Sequence, residues 1–148
     1  MAYSEIEQLT IDLDLYLNDK SKTIHIASGG GRIPDRLAEF DSPIEEFKEI
    51  MKTMEEQYDI VINPNLQNLL NLETTEALES YLSDFKKKAK QGLYSYDKTK
   101  LGANDDFTFH LVAKPKNKLR LSNSSNLLMT NIELPEDFQT FNLKDYIE

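Results

Sequence analysis

Residues 9–17 read Leu-Thr-Ile-Asp-Leu-Asp-Leu-Tyr-Leu, an unbroken alternation of apolar and polar side chains. Successive side chains of a strand point to opposite faces, so the run predicts a half-buried strand with Leu9, Ile11, Leu13, Leu15 and Leu17 inward and Thr10, Asp12, Asp14 and Tyr16 outward. A shorter alternation, Thr23-Ile24-His25-Ile26-Ala27, follows Asn18-Asp19-Lys20-Ser21 and predicts a hairpin. Opposed residues share a face, so Ile24 and Ile26 must oppose apolar residues. Pairing Leu17 with Lys22 leaves a four-residue loop and sets Asp14 against His25. Pairing Leu17 with Ile24 leaves six loop residues and sets Tyr16 against His25. The shorter loop is preferred, and either register puts His25 on the polar face.

Two amphipathic helices follow. Ser42-Pro43-Ile44-Glu45 offers an N-cap, a proline at the first helical position and a capping glutamate; Ile44, Phe47, Ile50, Met51 and Met54 continue as a stripe toward Tyr58. A second helix starts near Thr74 or Thr75, carries Leu78, Tyr81, Leu82, Phe85 and Ala89 on one face, and ends in lysines before Gly92. Between them Asp59 to Asn63 reads as a brief strand closed by Pro64, and 65–72 shows no clear period. Residues 93–106 have the composition of a long loop. Strands are expected at Phe107 to Ala113, Leu119 to Leu121 and Leu127 to Leu134, with turns between them and one short helix in the tail. The order implies an α+β fold: a mixed, largely antiparallel sheet with an N-terminal hairpin, two main helices and a C-terminal β-meander, in a single globular domain over residues 1–148.

Composition narrows the function classes. The chain has 148 residues, 39% of them hydrophobic, and no cysteine, which excludes disulfides and thiolate chemistry. No stretch has the length or apolarity of a membrane span, and the first residues do not resemble a signal peptide, so a cytoplasmic protein is expected. A net charge of -9 disfavours nucleic acid as the main partner. Charge is segregated: residues 1–85 carry -12, residues 86–120 carry +7 and residues 121–148 carry -4. The lysines at 86–90 can complement the negative end of their helix, or they can form a patch for an anionic partner.

Candidate site residues fall into two groups. Ser28, Gly29, Gly30, Gly31 and Arg32 follow a strand, where glycine amides could cradle an anion, and Asp14 with His25 could orient an acid–base pair beside Asp12. The spacing matches neither a phosphate loop nor a dinucleotide fingerprint, and no serine-nucleophile elbow is present. Lys86, Lys87 and Lys90, with Tyr94 and Tyr96 nearby, are the candidate partner-binding residues. Neither a metal site nor a cofactor motif is evident, and no catalytic set is assigned. The expectation is a non-catalytic protein-interaction domain, of the size and acidity of immunity or inhibitor proteins, that binds a protein partner or a second copy. The alternative is a small-molecule or anion-binding protein, or a hydrolase-type enzyme, built on the glycine loop with Asp12, Asp14 and His25.

Overall fold

The computed structural model describes residues 2–147. In chain order the elements are helix α1 (Glu5–Thr10), strands β1 (Asp14–Asn18) and β2 (Thr23–Ala27), helices α2 (Asp35–Ala38) and α3 (Asp41–Met51), strand β3 (Ile60–Ile62), helices α4 (Leu66–Leu70) and α5 (Thr75–Lys90), and strands β4 (Tyr94–Lys98), β5 (Thr108–Pro115), β6 (Leu128–Met129) and β7 (Phe141–Asn142). A 3-10 turn at Leu143–Asp145 follows. This is an α+β fold on an open, mixed sheet, ordered β3-β5-β4-β2-β1-β6, with β7 also on β5. β2 runs parallel to β4 and β1 parallel to β6; the other four pairings are antiparallel.

The N-terminal alternation divides between two elements. Leu9 and Thr10 end α1 and Ile11 to Leu13 form a connector, because Ser4 and Glu7 start a helix with a reciprocal capping box in which the Ser4 hydroxyl accepts from the Glu7 amide at 3.1 Å and the Glu7 carboxylate from the Ser4 amide at 3.0 Å. Only Asp14–Asn18 enters the sheet. The register also differs from the preferred one: Leu17 opposes Ile24, Tyr16 opposes His25, and Asn18 closes the hairpin against Thr23. Its loop still has four residues, Asp19 to Lys22, held by a buried ion pair of 2.5 Å between them. Asp19 also accepts from the amides of Ser21 and Lys22, both at 3.0 Å, and Lys22 Nζ donates to the Leu134 carbonyl at 3.0 Å. Lys22 is thus a turn residue satisfied by charge-assisted hydrogen bonds rather than a ladder residue facing the core.

α3 begins at Asp41, directly after α2, with no side-chain cap, so Pro43 lies in its first turn, where a missing amide costs nothing, and the helix ends at Met51. α5 follows the expectation closely: Thr74 accepts from the Ala77 amide at 3.0 Å, and Leu82, Phe85 and Ala89 are buried. Residues 94–98, expected in a loop, form β4 at the centre of the sheet. Leu119–Leu121 is irregular rather than a returning strand. The strands after β5 do not run on as a meander, since β6 joins β1 at the far edge and β7 returns to β5 beside β3.

Each face of the sheet carries a core. Leu15, Leu17, Ile24, Ile26, Tyr94, Tyr96, Phe109 and Leu111 pack with Leu134, Leu143 and Ile147 of the C-terminal segment. Tyr96 donates to the Pro135 carbonyl at 2.8 Å and meets Phe141 edge-on. The opposite face lies under α3 and α5: Phe47 meets Tyr16 edge-on, and Phe85 stands 6.0 Å from His25. Gln91 Nε2 clips the end of α3 to that of α5 by donating to the carbonyls of Met51 and Met54. Among the described residues no helix is long and apolar enough to cross a membrane.

Candidate functional site

The helix-covered face buries polar groups on three adjacent strands. His25 on β2 lies beside Ser95 on β4 by register and diagonal to Asp14 on β1. Its Nδ1 is 2.6 Å from Ser95 Oγ, and its Nε2 is 2.8 Å from Asp14 Oδ1. The expected Asp14–His25 contact therefore forms, but His25 is 0% exposed, because α5 covers the face that was expected to meet water. Ser95 completes a Ser–His–Asp sequence in which the serine is also 0% exposed and lines neither the groove beside Asp14 nor the cavity beside Asp97. A buried hydroxyl that no substrate can approach is a structural partner for the imidazole, not a nucleophile.

Asp14 is the open end of this relay, its side chain 41% exposed. It lies on the floor of a 210 Å³ groove between α3 and α5, with Tyr16 beside it and Lys48, Lys52, Lys87 and Lys88 on the walls. Burial pushes the Asp14 carboxyl up, but the hydrogen bond and charge of His25 and the charges of Lys88 and Lys48 outweigh it and hold the group below the usual carboxylate value. An adjoining 260 Å³ depression shares Lys87 and adds Lys86, Lys90, Glu56 and Glu79. Lys48 and Lys52 each pair with a glutamate three residues earlier, at 2.7 Å, and Lys86 approaches Glu79 at 3.9 Å. Among the described residues no ion pair involves Lys87, Lys88 or Lys90, and Lys88 lies over the Tyr16 ring, 5.6 Å from its centroid. Tyr94 and Tyr96 do not join this surface. Both rings are buried on the other face of the sheet, because even-numbered positions of β4 point away from α5.

A second polar chain lies on the same face toward β5. Tyr81 of α5 donates to Asp97 Oδ2 at 2.6 Å and is 3.1 Å from His110 Nε2; His110 Nδ1 is 2.8 Å from Thr99 Oγ1. Tyr81 has one proton. Given to Asp97, it leaves the phenol oxygen to accept from His110 Nε2–H, and His110 Nδ1 then accepts from Thr99. Every donor in the chain points toward Asp97. Burial, reinforced by the charge of Asp12, outweighs the Tyr81 hydrogen bond and the amide and charge of Lys98 and pushes the Asp97 carboxyl up to about 7. Burial pushes His110 down to about 4. Asp97 borders a cavity of 280 Å³ walled by leucines of α4 and of the loop after β4.

The glycine loop does not meet Asp14 and His25 in a common pocket. Ser28 is bonded twice to Leu13, its Oγ accepting from the Leu13 amide at 2.8 Å and its amide donating to the Leu13 carbonyl at 2.9 Å. The Gly29 amide donates to Asp12 at 2.9 Å and the Gly31 amide to the Ser28 carbonyl at 3.2 Å. Amides engaged in this way offer no nest to an anion. Gly29 has φ +65°, a left-handed conformation that favours glycine, and a Cβ there would also lie 3.2 Å from the Lys98 Cβ. Gly30 is also left-handed, at φ +71°. Arg32 pairs with Glu5 and with Asp105, the latter at 2.7 Å, which removes it as an anion ligand. Among the described residues no three His, Asp or Glu side chains gather in a metal-holding cluster.

Sequence reasoning missed Tyr81, Ser95, Asp97 and His110 as one buried polar layer. The available signal was Tyr94-Ser95-Tyr96-Asp97-Lys98 itself, an aromatic–polar alternation with period two that loop composition on either side obscured. No protein-family model, curated protein or solved structure compared with the chain matches it. The functional reading accordingly rests on geometry.

Proposed function

We propose that this chain is a non-catalytic protein-interaction domain of the cytoplasm that takes an acidic segment of a partner protein along the lysine-lined groove between α3 and α5. The observation that carries the reading is the placement of Lys87, Lys88 and Lys90, none in an ion pair among the described residues, beside Lys48 and Lys52. A chain of net charge -9 that concentrates cations along one groove sets up a local field opposite to its overall one. Such a field selects acidic partners and accelerates their approach. The two adjoining depressions, each the size of one or two carboxylate side chains, suit an extended segment rather than a single anion.

Fluorescence anisotropy with a labelled ten-residue peptide of alternating Glu and Asp tests this. Binding at low ionic strength should weaken about tenfold on moving to a few hundred millimolar salt, because partly exposed charges are screened. It should vanish in a Lys87→Gln/Lys88→Gln/Lys90→Gln variant. Equal binding by that variant, or no binding at low salt, would refute the reading. A second copy could supply the acidic segment from its own residues 1–85, and sedimentation at low and high salt separates this self-association from capture of another protein.

A further inference from the structure

We propose that the cavity bordered by Asp97, between α4, α5 and the C-terminal end of β4, is a binding site for a small amine whose ammonium pairs with Asp97 and whose apolar body lies against Leu69, Leu72 and Leu101. The cavity measures 280 Å³, at the small end of ligand pockets, which run to about 300–1,000 Å³. That volume holds one ring or a short alkyl chain with a single polar head.

Four observations fix the chemistry of the head group. Asp97 is 7% exposed, so its carboxyl is largely removed from water yet still reaches the cavity. Among the described residues no ion pair involves it. Lys98 also borders the cavity and its charge favours the Asp97 carboxylate, but its ammonium lies on the opposite face of the sheet, where it donates to the Asp106 carbonyl and lies 6.0 Å from the Phe109 ring centroid. Asp12 adds negative charge to the same region while its own carboxylate holds the Gly29 amide. A carboxylate held in an apolar setting beside a second negative charge, with the Lys98 charge acting on it only from the far side of the sheet, has no ion-pair partner in contact, and a buried charge is favourable only when a partner of opposite sign is in contact with it.

The hydrogen-bond chain sets the direction of the ligand. Tyr81 holds one carboxylate oxygen, fixing the Asp97 rotamer, and the neutral His110 behind it supplies no competing positive charge. An ammonium entering from the leucine side meets the carboxylate as acceptor and Thr99 at the rim. A carboxylic acid or phosphate in the same place would oppose both Asp97 and Asp12. An alcohol could accept or donate one hydrogen bond but would leave the charge uncompensated. This inference is independent of the lysine groove, which uses other residues at the C-terminal end of α5.

Titration of the isotopically labelled chain with benzylamine and with benzyl alcohol, followed by backbone amide shifts, decides it. Benzylamine should give saturable shifts confined to residues 69–72 and 97–101, with benzyl alcohol at least about tenfold weaker, as expected for losing a charge-assisted hydrogen bond. Asp97→Asn should reduce benzylamine affinity by a similar factor and leave the alcohol unchanged. Because Asp97 is buried, Leu101→Lys provides an independent check: its side chain is 70% exposed, so the fold is retained, and the tethered ammonium at the rim should compete with benzylamine. Equal binding of amine and alcohol, absence of saturable shifts at these positions, or benzylamine affinity unchanged in folded variants would overturn the assignment.

Discussion

Two histidines stand on the same face of one sheet, each linked to an aspartate, yet the two aspartates shift in opposite directions. His25 contacts Asp14 directly, at 2.8 Å, and the carboxylate opens into a groove with Lys48 and Lys88 on its walls; its carboxyl is held low. His110 reaches Asp97 only through Tyr81, and that carboxyl faces leucines and the charge of Asp12; it is pushed up to about 7. The residue types are nearly the same, so the difference lies in what α5 lays over each pair. Its C-terminal turn brings lysines to Asp14, and its middle brings Tyr81 to Asp97. One helix thereby borders a positively walled groove at its C-terminal end and an acidic, leucine-walled cavity at its middle.

The sharpest way to break the comparison is to delete the histidine that touches its aspartate directly. His25→Ala should cost about 3–5 kcal/mol, because it opens a void among Tyr16 and Phe85 and strands the buried Ser95 hydroxyl. Urea unfolding measures it. A loss below about 1 kcal/mol would mean that the Asp14–His25–Ser95 relay contributes little to the fold.

The next effect has the opposite sign. Asp97 has a folded pKa above its unfolded one, so its contribution is fully present below pH 3.8 and is lost as pH rises through about 7. His110, pushed down to about 4, contributes stability that is present above pH 6.5 and lost as pH falls through about 4. Between these values the two slopes oppose each other. Asp97→Asn keeps an acceptor for Tyr81 but removes the charge, so it should stabilise the chain by about 1–3 kcal/mol at pH 8 and by much less at pH 5. The variant should then show the His110 slope alone, with stability rising between pH 4 and 6.5. Thermal unfolding across pH 4–8 checks both statements, and a variant equally destabilised at pH 5 and pH 8 contradicts them.

How much of this was legible in the sequence follows from which force decides each element. α5 could be read because its cap, apolar stripe and lysine terminus all agree. The hairpin could be read but not its register, since Asp19 and Lys22 settle it with a buried ion pair that the apolar pattern does not encode. α1 hid inside an apparent strand because a capping box at Ser4 and Glu7 outweighs alternation at Leu9 and Ile11. β4 hid inside an apparent loop because its helix-facing positions are Ser95 and Asp97, polar residues that are buried only because β2 supplies His25 and α5 supplies Tyr81 as partners. The candidate sites follow the same rule. Asp14 and His25 sit on one face of a readable hairpin, so their contact could be anticipated, although it forms across the diagonal and not in the register expected. Tyr81, Asp97 and His110 come from three elements, and nothing local signals that they meet.

The smallest effect tests the lysine side of the comparison. Asp14 has a folded pKa below its unfolded one, so its contribution is present above the usual carboxylate value and is lost as pH falls through the lowered folded pKa. The side chain is 41% exposed, and solvent screens its ion pairs, so Asp14→Asn should cost no more than about 1 kcal/mol at pH 7. Because Lys88 and Lys48 supply part of that contribution across water, about 1 M salt should shrink the difference between Asp14→Asn and the parent, while the Asp97→Asn difference, set by burial, should hold. Lys88→Gln tests the same coupling from the other side: it should bring the Asp14 carboxyl back toward its ordinary value in a carbon-13 NMR titration and leave Asp97 unmoved. If salt and Lys88→Gln alter both aspartates alike, the C-terminal end and the middle of α5 share one electrostatic environment, and the division between a lysine groove and an acidic cavity fails.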